Sequence, residues 1–169
     1  MKPPLIVVMG VTGSGKSAVG AGLAEALDVR FVDADALHPP ANVDKMASGT
    51  PLDDDDRMPW LAIVGEHLAE AAAAGEGLVM ACSALRRRYR DLIRSHAPET
   101  VFVHLAGSRD VLESRMRGRA GHFMPVGLLD SQLDTLEPLD PDEAGETVSI
   151  VPPLEEVVAA AVEGVASVR

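Results

Sequence analysis

Residues Gly10–Ser17 read GVTGSGKS, which fits G-x-x-x-x-G-K-[ST] without a mismatch. The run PLIVVM precedes them and a helical pattern follows, which is the context this motif requires. Glycines let the backbone turn several N–H groups inward, and the following helix adds the positive end of its dipole. A lysine supplies a point charge to the outer phosphates, and a serine hydroxyl can ligate Mg²⁺. Gly10, Val11, Thr12, Gly13, Ser14, Gly15, Lys16, Ser17 and Ala18 are therefore read as the cradle of a nucleoside triphosphate. A glycine-rich turn with an accidental lysine is the structural alternative.

The acceptor of the phosphate must be sought elsewhere. In FVDADALHP, Asp33 and Asp35 stand two apart at the end of an apolar run. Alternation along an extended chain points both side chains the same way. One (Asp33) can hold Mg²⁺ through water, with Ser17 as the direct ligand. The other (Asp35) can accept a hydrogen bond from a substrate hydroxyl and take its proton. Phosphoryl transfer needs mainly positioning and charge neutralisation, so such a base acts chiefly by orientation. A pair of turn or capping aspartates is the plainer reading. No N-K-x-D for guanine appears, and the third apolar run ends in MACS without a carboxylate, which argues against a small GTPase and a motor ATPase.

These residues must be held by a frame. Residues 4–9, 29–35, 78–83, 100–107 and 146–151 read as strands; 15–27, 40–49, the stretch from Pro59 to Gly75, 84–96, a segment from Ser108, 126–136 and 154–168 read as helices. Strands alternate with helices, which predicts one α/β domain over 1–169, with a mostly parallel sheet of about five strands between two helical layers. Pro59 is placed in the first turn of its helix, where the missing N–H costs nothing.

Composition narrows the class. The chain has 169 residues, 47% apolar and only 3% aromatic, so one core of aliphatic side chains is expected. No apolar run reaches membrane-spanning length, and a lone cysteine, Cys82, excludes an internal disulfide or a cysteine zinc site. A cytoplasmic protein is the expectation. The net charge of −11 disfavours nucleic acid. Between Arg86 and Arg119, however, nine arginines face four acids, a local +5. Such concentration suits a small anion, although a solvated helix face would look the same.

Three longer blocks carry more specific information: HPPANVDKMASGTPLDDDDRMPWL (38–61), CSALRRRYRDLIR (82–94) and GHFMP (121–125). They closely resemble gluconokinases, the small P-loop gluconate kinases, and the similarity runs from the P-loop to the final helix. Thr12, where serine is frequent, and the unbroken arginines 86–88, where lysine often stands, are the mild departures. The resemblance implies a nucleoside-monophosphate-kinase-like P-loop fold, transfer of the ATP γ-phosphate to the 6-hydroxyl of D-gluconate, Mg²⁺, an ADP product and a homodimer. The other readings are a shikimate or nucleotide kinase of the same fold, and an ATP-sensing regulator that transfers nothing.

With that substrate in mind, Lys16, Asp35 and Arg119 are assigned catalytic roles. A linear polyol acid needs a guanidinium for its carboxylate and groups that read hydroxyls. Arg86 and Arg90, four apart on one expected helix, are assigned to substrate or phosphate, and Arg94 to solvent. Arg57, Asp35, His38 and His122 complete the substrate set. The aspartates 53–56 are expected to supply a helix cap and a partner for a basic group. The segment 115–125 reads as a mobile lid, with Gly118 and Gly121 as hinges and Arg115 and Arg119 on the nucleotide. VPPLEE (151–156) is expected to wall the adenine.

Overall fold

The computed structural model describes residues 2–117 and 126–168. Strand β1 (Leu5–Met9) has no solvent-facing side and reads as an unbroken apolar run for that reason. It is central in a five-stranded sheet of order β2-β3-β1-β4-β5, with β2 (Arg30–Asp33), β3 (Leu78–Ala81), β4 (Val101–Ala106) and β5 (Gly145–Ser149), every pairing parallel. Alternation splits β1 between two cores. Ile6 and Val8 pack with Val19 and Leu23 of helix α1 (Lys16–Leu27) and with Val157 and Ala161 of the last helix (Leu154–Val168). Leu5, Val7 and Met9 pack with Trp60, Leu61 and Val64 on the opposite face. This is the expected three-layer α/β/α architecture.

The remaining helices are α2 (Pro40–Ala47), α3 (Asp54–Ala73), α4 (Arg87–His96), α5 (Arg109–Arg117), α6 (Val126–Thr135) and α7 (Leu154–Val168). Pro59 lies inside α3 rather than in its first turn. The acidic run starts the helix earlier than the proline suggests: Asp53 is the N-cap and forms a reciprocal capping box with Asp56. Asp54, Asp55 and Asp56 then sit in the first turn, where negative charge is favoured.

The carboxyl ends of β1, β2 and β3 open on one edge of the sheet. In open α/β sheets this is the edge where ligands bind.

Candidate active site

The loop after β1 turns on Gly13 (φ 81°) and Gly15 (φ 87°), a left-handed backbone that side chains resist. Gly13 has a second reason to lack a side chain: a Cβ there would stand 2.8 Å from Met116 Cγ and 3.2 Å from the Leu112 carbonyl of α5. Ser14 N donates to the Val11 carbonyl at 3.2 Å, and Lys16 Nζ reaches that same carbonyl at 3.2 Å. Ser14 Oγ is buried with no hydrogen-bond partner among the described residues.

The two aspartates meet this loop, by a geometry different from the one expected. Strand β2 stops at Asp33, and Ala34–Leu37 form a 3₁₀ turn, so side-chain alternation does not align the pair. Asp33 instead caps that turn: its Oδ1 accepts from Asp35 N at 3.0 Å while its Oδ2 accepts from Ser17 Oγ at 2.7 Å. The turn carries Asp35 to the cradle. Burial, and next the charge of Asp33, hold the Asp35 carboxyl above the ordinary carboxylate range; Lys16 and His38 pull it back. Beneath them the Cys82 thiol at the end of β3 is buried and pushed up to about 12, with Asp35, Lys16 and Asp33 as its charged neighbours. Lys16, Asp33 and Asp35 thus converge over one strand end.

A wall rises beside Asp35. His38 stacks on Trp60 with ring centroids 4.1 Å apart and planes at 17°. The indole N–H donates to the Ala34 carbonyl at 2.8 Å, which fixes the ring and the 3₁₀ turn together. Burial is the main reason the His38 imidazole is held below its ordinary value; Asp35 raises it and Arg57 lowers it. Asn42 Nδ2 lies 3.2 Å from His38 Nδ1 and donates to the Asp56 carbonyl at 2.9 Å. Arg57 donates to the Tyr89 hydroxyl at 3.2 Å, and that hydroxyl donates to Asp54, which also takes Arg88. Lys45 pairs with Asp56 at 2.6 Å and Asp53 at 3.6 Å. The acidic run therefore caps α3 and holds basic groups, as its sequence implied.

The arginines after β3 separate. Arg86 does not lie on α4; it is the residue that caps it, and its Nε is buried without a partner among the described residues. Arg90 corrects the expectation that it contacts substrate. Its side chain is fully buried, pairs with Glu143 at 2.8 Å and 3.1 Å, and donates to the carbonyls of Ala84 and Pro138. All its reach is spent inside the protein: α4 starts at Arg87, three residues later than the expected 84, and Arg90 lies on its buried side with Tyr89 and Ile93. Arg94 is likewise not a solvent residue: it lies 5.0 Å over the Phe102 ring and pairs with Asp91 at 2.8 Å.

On the other side of the loop, Gly13, Ser14, Gly15, Arg115, Ile150 and Leu154 border a cavity of about 250 Å³. Arg115 donates to the Ile150 carbonyl. Arg119, His122 and the hinges Gly118 and Gly121 lie outside the described residues, and so does most of the expected lid. Sequence reasoning missed Trp60, Tyr89, Asn42 and Gln132. Trp60 had two available signals: it is the only tryptophan, and it stands next to last in the longest diagnostic block, 38–61.

Residues 5–139 match the family model described as an AAA domain. The chain is 51% identical over 143 residues to a gluconokinase of Gluconobacter oxydans, covering 85% of this chain and 80% of that one. It is 44% identical over 160 residues to the thermoresistant gluconokinase of Escherichia coli, covering 94% and 91% respectively. The crystal structure of a gluconokinase from Sinorhizobium meliloti superposes with a TM-score of 0.90 at 51% identity, over 98% of this chain and 93% of that one.

Proposed function

The chain belongs to the gluconokinase family within the AAA-domain P-loop proteins, and from that premise we propose that it transfers the γ-phosphoryl group of ATP to the 6-hydroxyl of D-gluconate. One observation carries the reading: the Asp33-centred turn is bonded to the phosphate loop through Ser17 and so delivers Asp35 to the mouth of that loop. An alcohol held by Asp35 stands beside the position that a P-loop gives the terminal phosphate.

The chemistry follows from those groups. The N-terminus of α1, which begins at Lys16, faces the phosphate chain, and Lys16 balances its charge. Asp35 accepts the hydrogen bond of the 6-hydroxyl and orients its oxygen. The new O6–P bond forms as the bond from Pγ to the β–γ bridging oxygen breaks; the hydroxyl proton passes to Asp35 and ADP leaves. Ser17 and Asp33 fit a Mg²⁺ site: one hydroxyl and one carboxylate, already 2.7 Å apart, are the hard oxygen donors that ion prefers. When bound, Mg²⁺ neutralises charge on the phosphate oxygens. His38 reads a hydroxyl, and Arg57 and Arg86 serve the carboxylate or the transferring phosphate. The unpartnered Nε of Arg86 supports its part in this. Arg115 and the cavity beside Ile150 and Leu154 suit the nucleotide, with Arg119 and His122 joining from the lid. A homodimer and a cytoplasmic location are carried over from the family. No helix among the described residues is long and apolar enough to cross a membrane.

The test is ADP release with a panel of polyol acids, shikimate and nucleoside monophosphates. Gluconate should be turned over and the product phosphorylated at C6. Rapid turnover of shikimate with none of gluconate would overturn the substrate, and no stimulation of ATP consumption by any acceptor would favour a nucleotide sensor.

A further inference from the structure

The Val11–Thr12 peptide is held at both ends. Its carbonyl accepts from Ser14 N and from Lys16 Nζ, each at 3.2 Å. Its N–H donates to Gln132 Oε1 at 2.6 Å, across 120 positions of sequence. A peptide unit is planar and trans, so its N–H and C=O point in opposite directions and cannot be aimed independently. A side chain that fixes the Thr12 N–H therefore also fixes the direction of the carbonyl at Lys16.

The helix that carries Gln132 is anchored well enough to serve this purpose. Leu129 of α6 is fully buried in the core. Asp130 accepts from Arg109 of α5 at 2.7 Å and 3.2 Å in a forked pair. Just past α6, Glu137 N donates to the Leu85 carbonyl at 2.7 Å, and Glu137 Oε1 accepts from Arg87 N at 2.9 Å. On the same side of the loop, α5 presses Leu112 and Met116 against Gly13. The rim of the phosphate loop is thus backed by α5 through packing and by α6 through one polar contact.

We infer that Gln132 is a positioning residue for Lys16, acting through the Val11–Thr12 peptide. Its carboxamide holds the peptide plane in the orientation that keeps the lysine carbonyl partner facing into the loop. Without it the peptide is held from the Ser14 side alone, its plane can tilt, and the ammonium loses a fixed point from which to meet the outer phosphates. The role rests on the phosphate-loop reading of Gly10–Ser17, and it is local: Gln132 is half-buried and contributes no core packing that a similar side chain would not replace.

The experiment uses the full chain with Gln132→Leu, Gln132→Ala and Gln132→Glu, scored by kcat, both KM values and thermal stability. Gln132→Leu and Gln132→Ala should lower kcat by about tenfold or more, the scale of a displaced charge, with gluconate KM within about twofold. Gln132→Glu keeps an acceptor at the same reach and should recover most of kcat at saturating ATP. Thr12→Pro removes the same hydrogen bond from its donor side, since proline has no N–H. The losses in the Thr12→Pro, Gln132→Leu double variant should therefore not add. Additive losses, a Gln132→Glu variant as slow as Gln132→Leu, or unchanged kcat with tighter ADP binding would each overturn the role. ADP binding by the unmodified protein is measured alongside: its absence would refute the phosphate-loop reading itself rather than the part played by Gln132.

Discussion

The Ser17 hydroxyl donates to Asp33 Oδ2 at 2.7 Å and so joins the first turn of α1 to the end of β2. The bond ties the phosphate loop to the turn that presents Asp35, and it sets two hard oxygen donors side by side. Asp33→Ala removes one donor and the cap of the Ala34–Leu37 turn together. Turnover at saturating substrates should fall by about 10–100-fold, and the Mg²⁺ concentration for half-maximal rate should rise, as found when an outer partner of a metal site is lost. A Mg²⁺ titration of initial rates measures both. An unchanged Mg²⁺ requirement would remove Asp33 from the metal.

Asp35 should trade stability for activity. Its folded carboxyl titrates above the reference 3.8, chiefly through burial and then through Asp33. The folded protein thus holds the proton more tightly than the unfolded chain. The stability this contributes is complete below about pH 3.8 and is lost as pH rises through the higher folded value. At neutral pH the ionised Asp35 is a cost, so Asp35→Asn should raise Tm, and the gain should vanish on acidification below the reference value. The same substitution should lower kcat by about 10²–10⁴-fold, the range for a lost general base. Thermal melts between pH 3.5 and 8 test the sign; a lower Tm at neutral pH would contradict it.

Much of this arrangement was legible in advance for stated reasons. The β1 run, its glycines and the following helix specify their own geometry, because strand burial, positive φ and the dipole all depend on local residue type. The order of helices and strands was likewise written in the periodicity. What could not be read was direction. Arg90 and Arg86 look equivalent in RRRYR, yet a helix that starts at Arg87 buries one against Glu143 and leaves the other at its cap. Glu143 lies 53 positions away, and only the folded chain brings it near. The same distance problem hid Gln132. Asp33 and Asp35 do lie together, but on a backbone other than the expected strand: a short polar side chain that captures the next N–H but one converts strand into turn.

Trp60 provides a built-in reporter. It is the only tryptophan, 3% exposed, and its ring is stacked on His38. An imidazolium beside an indole quenches its emission, so fluorescence should fall as pH drops through the titration of His38. Because burial holds this imidazole down, the midpoint should lie below 6.5. His38→Ala should abolish the transition. Gluconate bound against the same wall should shift the midpoint; a pH-independent emission, or a midpoint above 6.5, would separate His38 from the indole or deny its burial.

Arg90 and Glu143 make the sharpest contrast between a structural and a functional arginine. Both side chains have no exposure, and their nitrogens and oxygens meet at 2.8 Å and 3.1 Å. Removing one partner of a buried pair costs about 3–5 kcal/mol, because the other charge is left without compensation. The two directions are not equal here. Arg87 Nε at 3.0 Å and Arg94 Nη2 at 3.4 Å also reach Glu143 Oε1, so Arg90→Leu leaves the carboxylate with two cations. Glu143→Leu leaves Arg90 with carbonyl acceptors alone. Glu143→Leu should therefore be the more damaging, and Arg90→Leu should fall at the lower end of that range, about 3 kcal/mol or a Tm loss of roughly 6–12 °C for a chain of this size. The Arg90→Leu, Glu143→Leu double variant should recover much of the loss, since no buried charge of the pair remains. Gluconate KM, measured well below the melting transition, should stay near that of the unmodified protein in Arg90→Leu and should rise in Arg57→Ala. A large rise in gluconate KM for Arg90→Leu without a loss of Tm would return Arg90 to the substrate and break the distinction between it and Arg86.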